Sequence, residues 1–83
     1  FLKHLEYYPN PADDKLHLKI ELNSRIQVSI SIQDITGKEI ERLESGKIQN
    51  LNKVIDLSNL KTGLYFLTID SEEGRISKKI MKK

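Results

Sequence analysis

Lys15-Leu16-His17-Leu18-Lys19-Ile20-Glu21-Leu22 alternates polar and apolar residues without a break, and Ile26-Gln27-Val28-Ser29-Ile30-Ser31-Ile32-Gln33 takes the alternation up again. A period of two sends successive side chains to opposite faces of a pleated strand. Leu16, Leu18, Ile20 and Leu22, then Ile26, Val28, Ile30 and Ile32, therefore form an apolar row backed by a polar one. Their β-branched content favours a strand over a helix. Working outward, Asn23-Ser24-Arg25 reads as a short polar connection between two strands. Asp34-Ile35-Thr36-Gly37-Lys38 reads as a tight turn whose glycine supplies a positive φ. A third strand runs through Ile40 and Leu43, Glu44-Ser45-Gly46-Lys47 reads as a turn, and a further strand covers about Ile48 to Leu57. Ser58 to Gly63 crosses to a strand at Leu64 to Ile69. Ser71-Glu72-Glu73-Gly74 turns again into a last strand, Arg75 to Met81, and a short leading one lies around Leu2 to Tyr8. These spacings predict an all-β fold, a small antiparallel immunoglobulin-like β-sandwich of about seven strands.

A chain of 83 residues has room for one domain. It has no cysteine, so neither a disulfide framework nor a thiolate metal site is available, and stability must come from packed strands. The chain starts at Phe1 without a signal-peptide pattern, which is the expectation for a fragment or a processed product. Its longest apolar run, Leu64-Tyr65-Phe66-Leu67, is far short of the roughly 20 residues of a membrane-spanning helix, so membrane insertion is not expected. Residues 75–83 carry Arg75, Lys78, Lys79, Lys82 and Lys83 and no acid. The rest of the chain then holds nine bases against twelve acids, a net of −3 within a total of +2. A basic end on a mildly acidic body suits a nucleic-acid arm, a membrane-surface anchor, an acidic partner, or an edge strand protected by its lysines.

Candidate chemistry is sparse. His4 and His17 have no second ligand at metal-binding spacing, and His17 falls on the polar face of its strand. Asn10, Asp13 and Asp14 could offer oxygens to calcium, but they lack the acidic ladder of a calcium loop and suit a turn better. No serine, histidine and acid set, no phosphate-binding glycine loop and no acidic pair in an apolar setting is present, so neither an enzyme nor a cofactor is expected. The basic end has no interleaved aromatic residues to stack on bases, which argues against nucleic acid.

Two local patterns are more specific. Leu60-Lys61-Thr62-Gly63-Leu64-Tyr65 has the form of a tyrosine corner, in which the tyrosine hydroxyl reaches back to backbone just upstream. In Tyr8-Pro9-Asn10-Pro11 two prolines fix their own φ and push Tyr8 and Asn10 into extended conformations, and Asn10 can bond local backbone to cap the turn into the first long strand.

Taken in order, Tyr8-Pro9-Asn10-Pro11, Asp34-Ile35-Thr36-Gly37-Lys38, Leu60-Lys61-Thr62-Gly63-Leu64-Tyr65 and Lys78-Lys79-Ile80-Met81-Lys82-Lys83 resemble the C-terminal sorting domains of the type IX secretion system of Bacteroidetes bacteria. The resemblance runs from about Tyr8 to Lys83. It implies a sorting domain over residues 8–83, with residues 1–7 as the end of a linker from an upstream, covalently attached cargo. It further implies transit through the periplasm, passage through the outer-membrane translocon to the cell surface or exterior, and, in many members, removal by a surface sortase. Carried over by position, the motif residues are Pro9, Asn10, Pro11, Asp34, Gly37, Gly63, Tyr65, Lys79, Ile80, Lys82 and Lys83, none of them catalytic. On this reading the last strand and its lysines meet the machinery, with Ile76 and Ile80 seating the strand on the core. An unpaired strand edge would also allow weak homodimers. The competing reading is an accessory adhesion or carbohydrate-binding β-sandwich, which the lack of tryptophan and the few aromatic residues disfavour.

Overall fold

The structure, a computed structural model, describes all residues from Phe1 to Lys83. It is all-β and antiparallel, with five strands: β1 (Leu2–Tyr8), β2 (Lys15–Gln33), β3 (Glu39–Asp56), β4 (Gly63–Ser71) and β5 (Gly74–Lys82). They form one sheet in the order β1-β2-β4-β5, with β3 on the other side of β2. The expected all-β antiparallel architecture is present, and in place of about seven separate strands the chain forms five, two of them long, in one curled sheet.

The difference lies in the two segments that read as turns. Asn23-Ser24-Arg25 separates Leu22 from Ile26 by an even number of positions, so the same face stays inward and β2 continues through it. It bends there: Glu21 pairs with Asn50 and Ile26 with Ile48, so β2 spends four intervening residues where β3 spends one. The Asn23 amide, released from the ladder, donates to the Phe1 carbonyl at 3.0 Å. Gly46 likewise lies inside β3, opposite Val28, with φ +145°, a conformation that L side chains rarely adopt. The bend divides β2 between two neighbourhoods. Its first half lies between β1 and β3, and its second half between β4 and β3.

Curling turns the apolar row of β2 into the floor of the core. Leu16, Leu18, Ile20, Leu22, Val28, Ile30 and Ile32 are all buried, and Leu43, Ile55, Leu57, Leu67, Ile69 and Ile80 close over them. Complete burial of one such aliphatic side chain contributes roughly 1.5–3 kcal/mol, and the fourteen-residue cluster is what a cysteine-free chain has to rely on.

The shorter turns follow the sequence reading. Asp34 accepts from the Gly37 amide at 3.0 Å and donates its own amide to the Lys38 carbonyl at 2.9 Å, closing the β2–β3 turn with Gly37 at φ +87°. Glu72 and Glu73 turn β4 into β5.

Candidate recognition site where the chain's two ends meet

The segment leading into β2 lies along the outer edge of β5. Ala12, fully buried, donates its amide to the Met81 carbonyl at 2.7 Å and accepts from the Lys83 amide at 2.8 Å, an isolated parallel bridge. Pro9 and Pro11, both following cis peptide bonds, have no N–H to offer the ladder, and Asn10 between them supplies side-chain groups in its place. Its Oδ1 accepts from the Met81 amide at 2.9 Å and its Nδ2 donates to the Lys79 carbonyl at 3.2 Å. The asparagine expected to cap local backbone thus stands in for a strand neighbour about seventy residues away, with sequence separations of 69 and 71.

β4 holds the other side of β5. Gly63 pairs with Lys82, Tyr65 with Ile80 and Phe66 with Lys79. Tyr65 makes the tyrosine corner, its hydroxyl donating to the Lys61 carbonyl at 2.7 Å. Phe66 also pairs with Gln33, so the Asp34–Lys38 turn leaves β2 immediately beyond the rung that carries Lys79. Register therefore brings all four sequence motifs to one end of the sheet. Pro9, Asn10, Pro11, Gly63, Tyr65, Lys79, Ile80, Lys82 and Lys83 gather at the β5 seam, while Asp34 and Gly37 stand on the adjoining turn with bonds of their own.

Residues 6–83 match the profile of the secretion system C-terminal sorting domain. The chain belongs to this family. It is a C-terminal sorting signal for type IX secretion, which implies an attached cargo, contact with the secretion system, and export to the cell surface or the extracellular space. A family of sorting signals is not a catalytic one. No curated protein matches the chain.

Within the sorting domain the terminal bases are not equivalent. Lys82 points inward, its side chain only 9% exposed, and lies 3.8 Å from the Asp14 carboxylate while donating to the Lys83 carbonyl at 3.0 Å. The expectation that all the terminal lysines stand on an open edge is thus corrected for Lys82, which is part of the seam. Arg75 is engaged as well. Its guanidinium is 3.4 Å from Asp70 and donates to Gln33 at 3.2 Å, spanning the rung of Ser31, Thr68 and Ser77 that lies between them. Lys78, Lys79 and Lys83 are exposed and make no ion pair. The edge of β5 is closed from Lys79 onward, leaving Arg75–Lys78 without a neighbour beyond it.

The remaining polar groups are structural. The Asp34 carboxylate accepts from the Thr36 hydroxyl at 2.6 Å, the Thr36 amide at 2.9 Å and the Lys38 amide at 3.1 Å, and these donors, the hydroxyl first, hold its pKa below the usual value. Asp56 is lowered in the same way by Ser58, and Glu6 by its 2.7 Å bond to His4. His17 stacks on Tyr8 with ring centroids 5.0 Å apart, so one face of that exposed tyrosine is already covered. No group of three or more histidine, cysteine, aspartate or glutamate side chains is close enough to hold a metal ion, and no helix is long and apolar enough to cross a membrane.

Sequence reasoning missed Ala12 and Asp14 as seam residues, because nothing local marks a contact with the far end of the chain. It also passed over Leu64, Phe66 and Met81. Met81 shares its strand face with Lys79 and Lys83 by simple alternation, a signal that was present.

Proposed function

We propose that the domain is a removable address. It directs a cargo joined upstream from the periplasm through the type IX outer-membrane translocon, after which a surface sortase detaches it from the anchored or released cargo. Residues 8–83 form the address, and residues 1–7, the end of the cargo linker, supply all of β1 but Tyr8. The motif residues have two kinds of role. Pro9, Asn10, Pro11, Gly63, Tyr65, Ile80 and Lys82 fix the closing strand, and Asp34 and Gly37 fix the neighbouring turn. Lys79 and Lys83 offer their charges to the machinery.

The observation that carries this reading is the convergence of four sequence motifs, spread over the chain, on the one end where β5 is clamped on both sides. Lys79 on β5 and Lys83 just beyond it, its amide held by Ala12, present charge in a set direction, which serves discrimination between partners more than raw affinity.

The test is transplantation. A reporter with a signal peptide, expressed in a type IX-competent host, should reach the surface or medium when residues 1–83 are appended. It should stay in the periplasm when Lys79–Lys83 are removed. Normal export of the shortened fusion would rule out the assignment of the tail as the part that is read.

A further inference from the structure

Alternation along β5 puts Lys79 and Met81 on one face, about 6.7 Å apart and opposite Ile80 and Lys82, and Lys83 follows directly after the strand with its amide held by Ala12. Across the ladder Leu64 pairs with Met81 and Phe66 with Lys79, so these two side chains share that outward face. Neither belongs to the apolar residues packed against the core, although Tyr65 and Leu67 beside them do. Met81 itself is 42% exposed. The result is a short apolar row, Leu64, Phe66 and Met81, flanked by two lysines without ion pairs. Residues 63–66 and 79–83 contain no acid.

Resting on the sorting reading above, we propose that this face is docked face-on by an acidic protein surface that seats the Met81 side chain between its carboxylates. Strand addition, the usual use of a sheet edge, is closed at this end because Asn10 and Ala12 already occupy the β5 backbone groups. A partner must therefore come over the face, where it meets a cation before and after Met81 along the chain and apolar side chains on the neighbouring strand. Uncompensated lysines call for carboxylates, and a flexible thioether between them suits a shallow recess. A lipid surface fits less well, since peripheral attachment needs a broader apolar face than a row of three residues. Tyr8 and Val54, exposed as well, flank His17 on one rung of the other half of the sheet, but there the same face also carries the carboxylates of Glu6 and Asp56.

The test uses the transplanted reporter, with the thermal melt of each variant domain as a check on folding. Met81→Asp should lower export by about tenfold, the scale of losing one buried interface anchor, and Met81→Leu should restore it. Lys83→Glu, which changes an exposed side chain and leaves the backbone bond to Ala12 in place, should lower it severalfold, and Val54→Asp, on the other half of the sheet, should leave it unchanged. Export of both folded Met81→Asp and Lys83→Glu at the unmodified level would overturn the inference while leaving the sorting reading intact. Should Met81→Asp fail to fold, Lys83→Glu alone decides. Met81-dependent binding of the domain to phosphatidylglycerol vesicles would overturn the protein partner in favour of lipid. Failure of the unmodified domain to export the reporter would instead remove the sorting reading itself.

Discussion

The β2–β3 turn and the β5 seam stand side by side at one end of the sheet, yet they are built on opposite principles. In the turn, every bond of the Asp34 carboxylate goes to a residue two or four positions away. In the seam, Asn10 and Ala12 hold residues about seventy positions away, and Lys82 reaches back to Asp14. The turn closes within its own five residues. The seam exists only when the whole sheet has curled and its two ends have met. A motif can therefore serve local geometry or the closing of the fold, and its sequence alone does not say which.

The sharpest contrast should come from apolar truncation. Ile80→Ala removes a side chain only 1% exposed at the seam and should cost about 2–5 kcal/mol in urea denaturation, whereas Ile35→Ala, 70% exposed on the turn, should stay within about 0.5 kcal/mol. Equal losses would mean that the seam is not part of the core. Next, Asn10→Ala deletes two side-chain bonds to β5 and should cost about 1–2 kcal/mol, with faster amide exchange at Met81 and unchanged exchange at Gly37. Loss of protection at both sites would join turn and seam into one unit and abolish the distinction. Tyr65→Phe removes the bond to the Lys61 carbonyl while keeping the ring, and about 1 kcal/mol should be lost.

The smallest effect is a pH dependence. Because the folded Asp34 pKa is depressed, its contribution is present above the ordinary carboxylate range and is lost as pH falls through the depressed value. Asp34→Asn should therefore flatten part of the acid limb of a stability-against-pH curve. Asp56 and Glu6, depressed for similar reasons, should preserve the rest. An unaltered acid limb would show that the Thr36 and Lys38 bonds do not persist in solution.

The legible parts of this molecule are those whose physics is local. The even-numbered apolar row of β2, the Asp34–Lys38 turn and the Tyr65 corner each follow from spacing within a few residues. The strand count departs from the local pattern where local chemistry and sheet geometry conflict: Ser24 and Gly46 are residue types common in turns, but they sit in strands that bend without ending. Parity already held the answer for β2, since Leu22 and Ile26 stay on one face across the tripeptide. The seam was out of reach for a different reason. Asn10 looks the same whether it caps its own turn or bonds Met81, and only the register of β4 and β5 decides between them.

Amide hydrogen exchange of the intact domain tests most directly the claim that the tail is presented as an ordered, clamped strand. The Met81 and Lys83 amides, held by Asn10 and Ala12, should exchange far more slowly than unstructured backbone, at rates that approach those of the β4–β5 ladder. Exchange at both positions as fast as in an unstructured peptide would contradict it, leaving a frayed tail in place of a fixed recognition face.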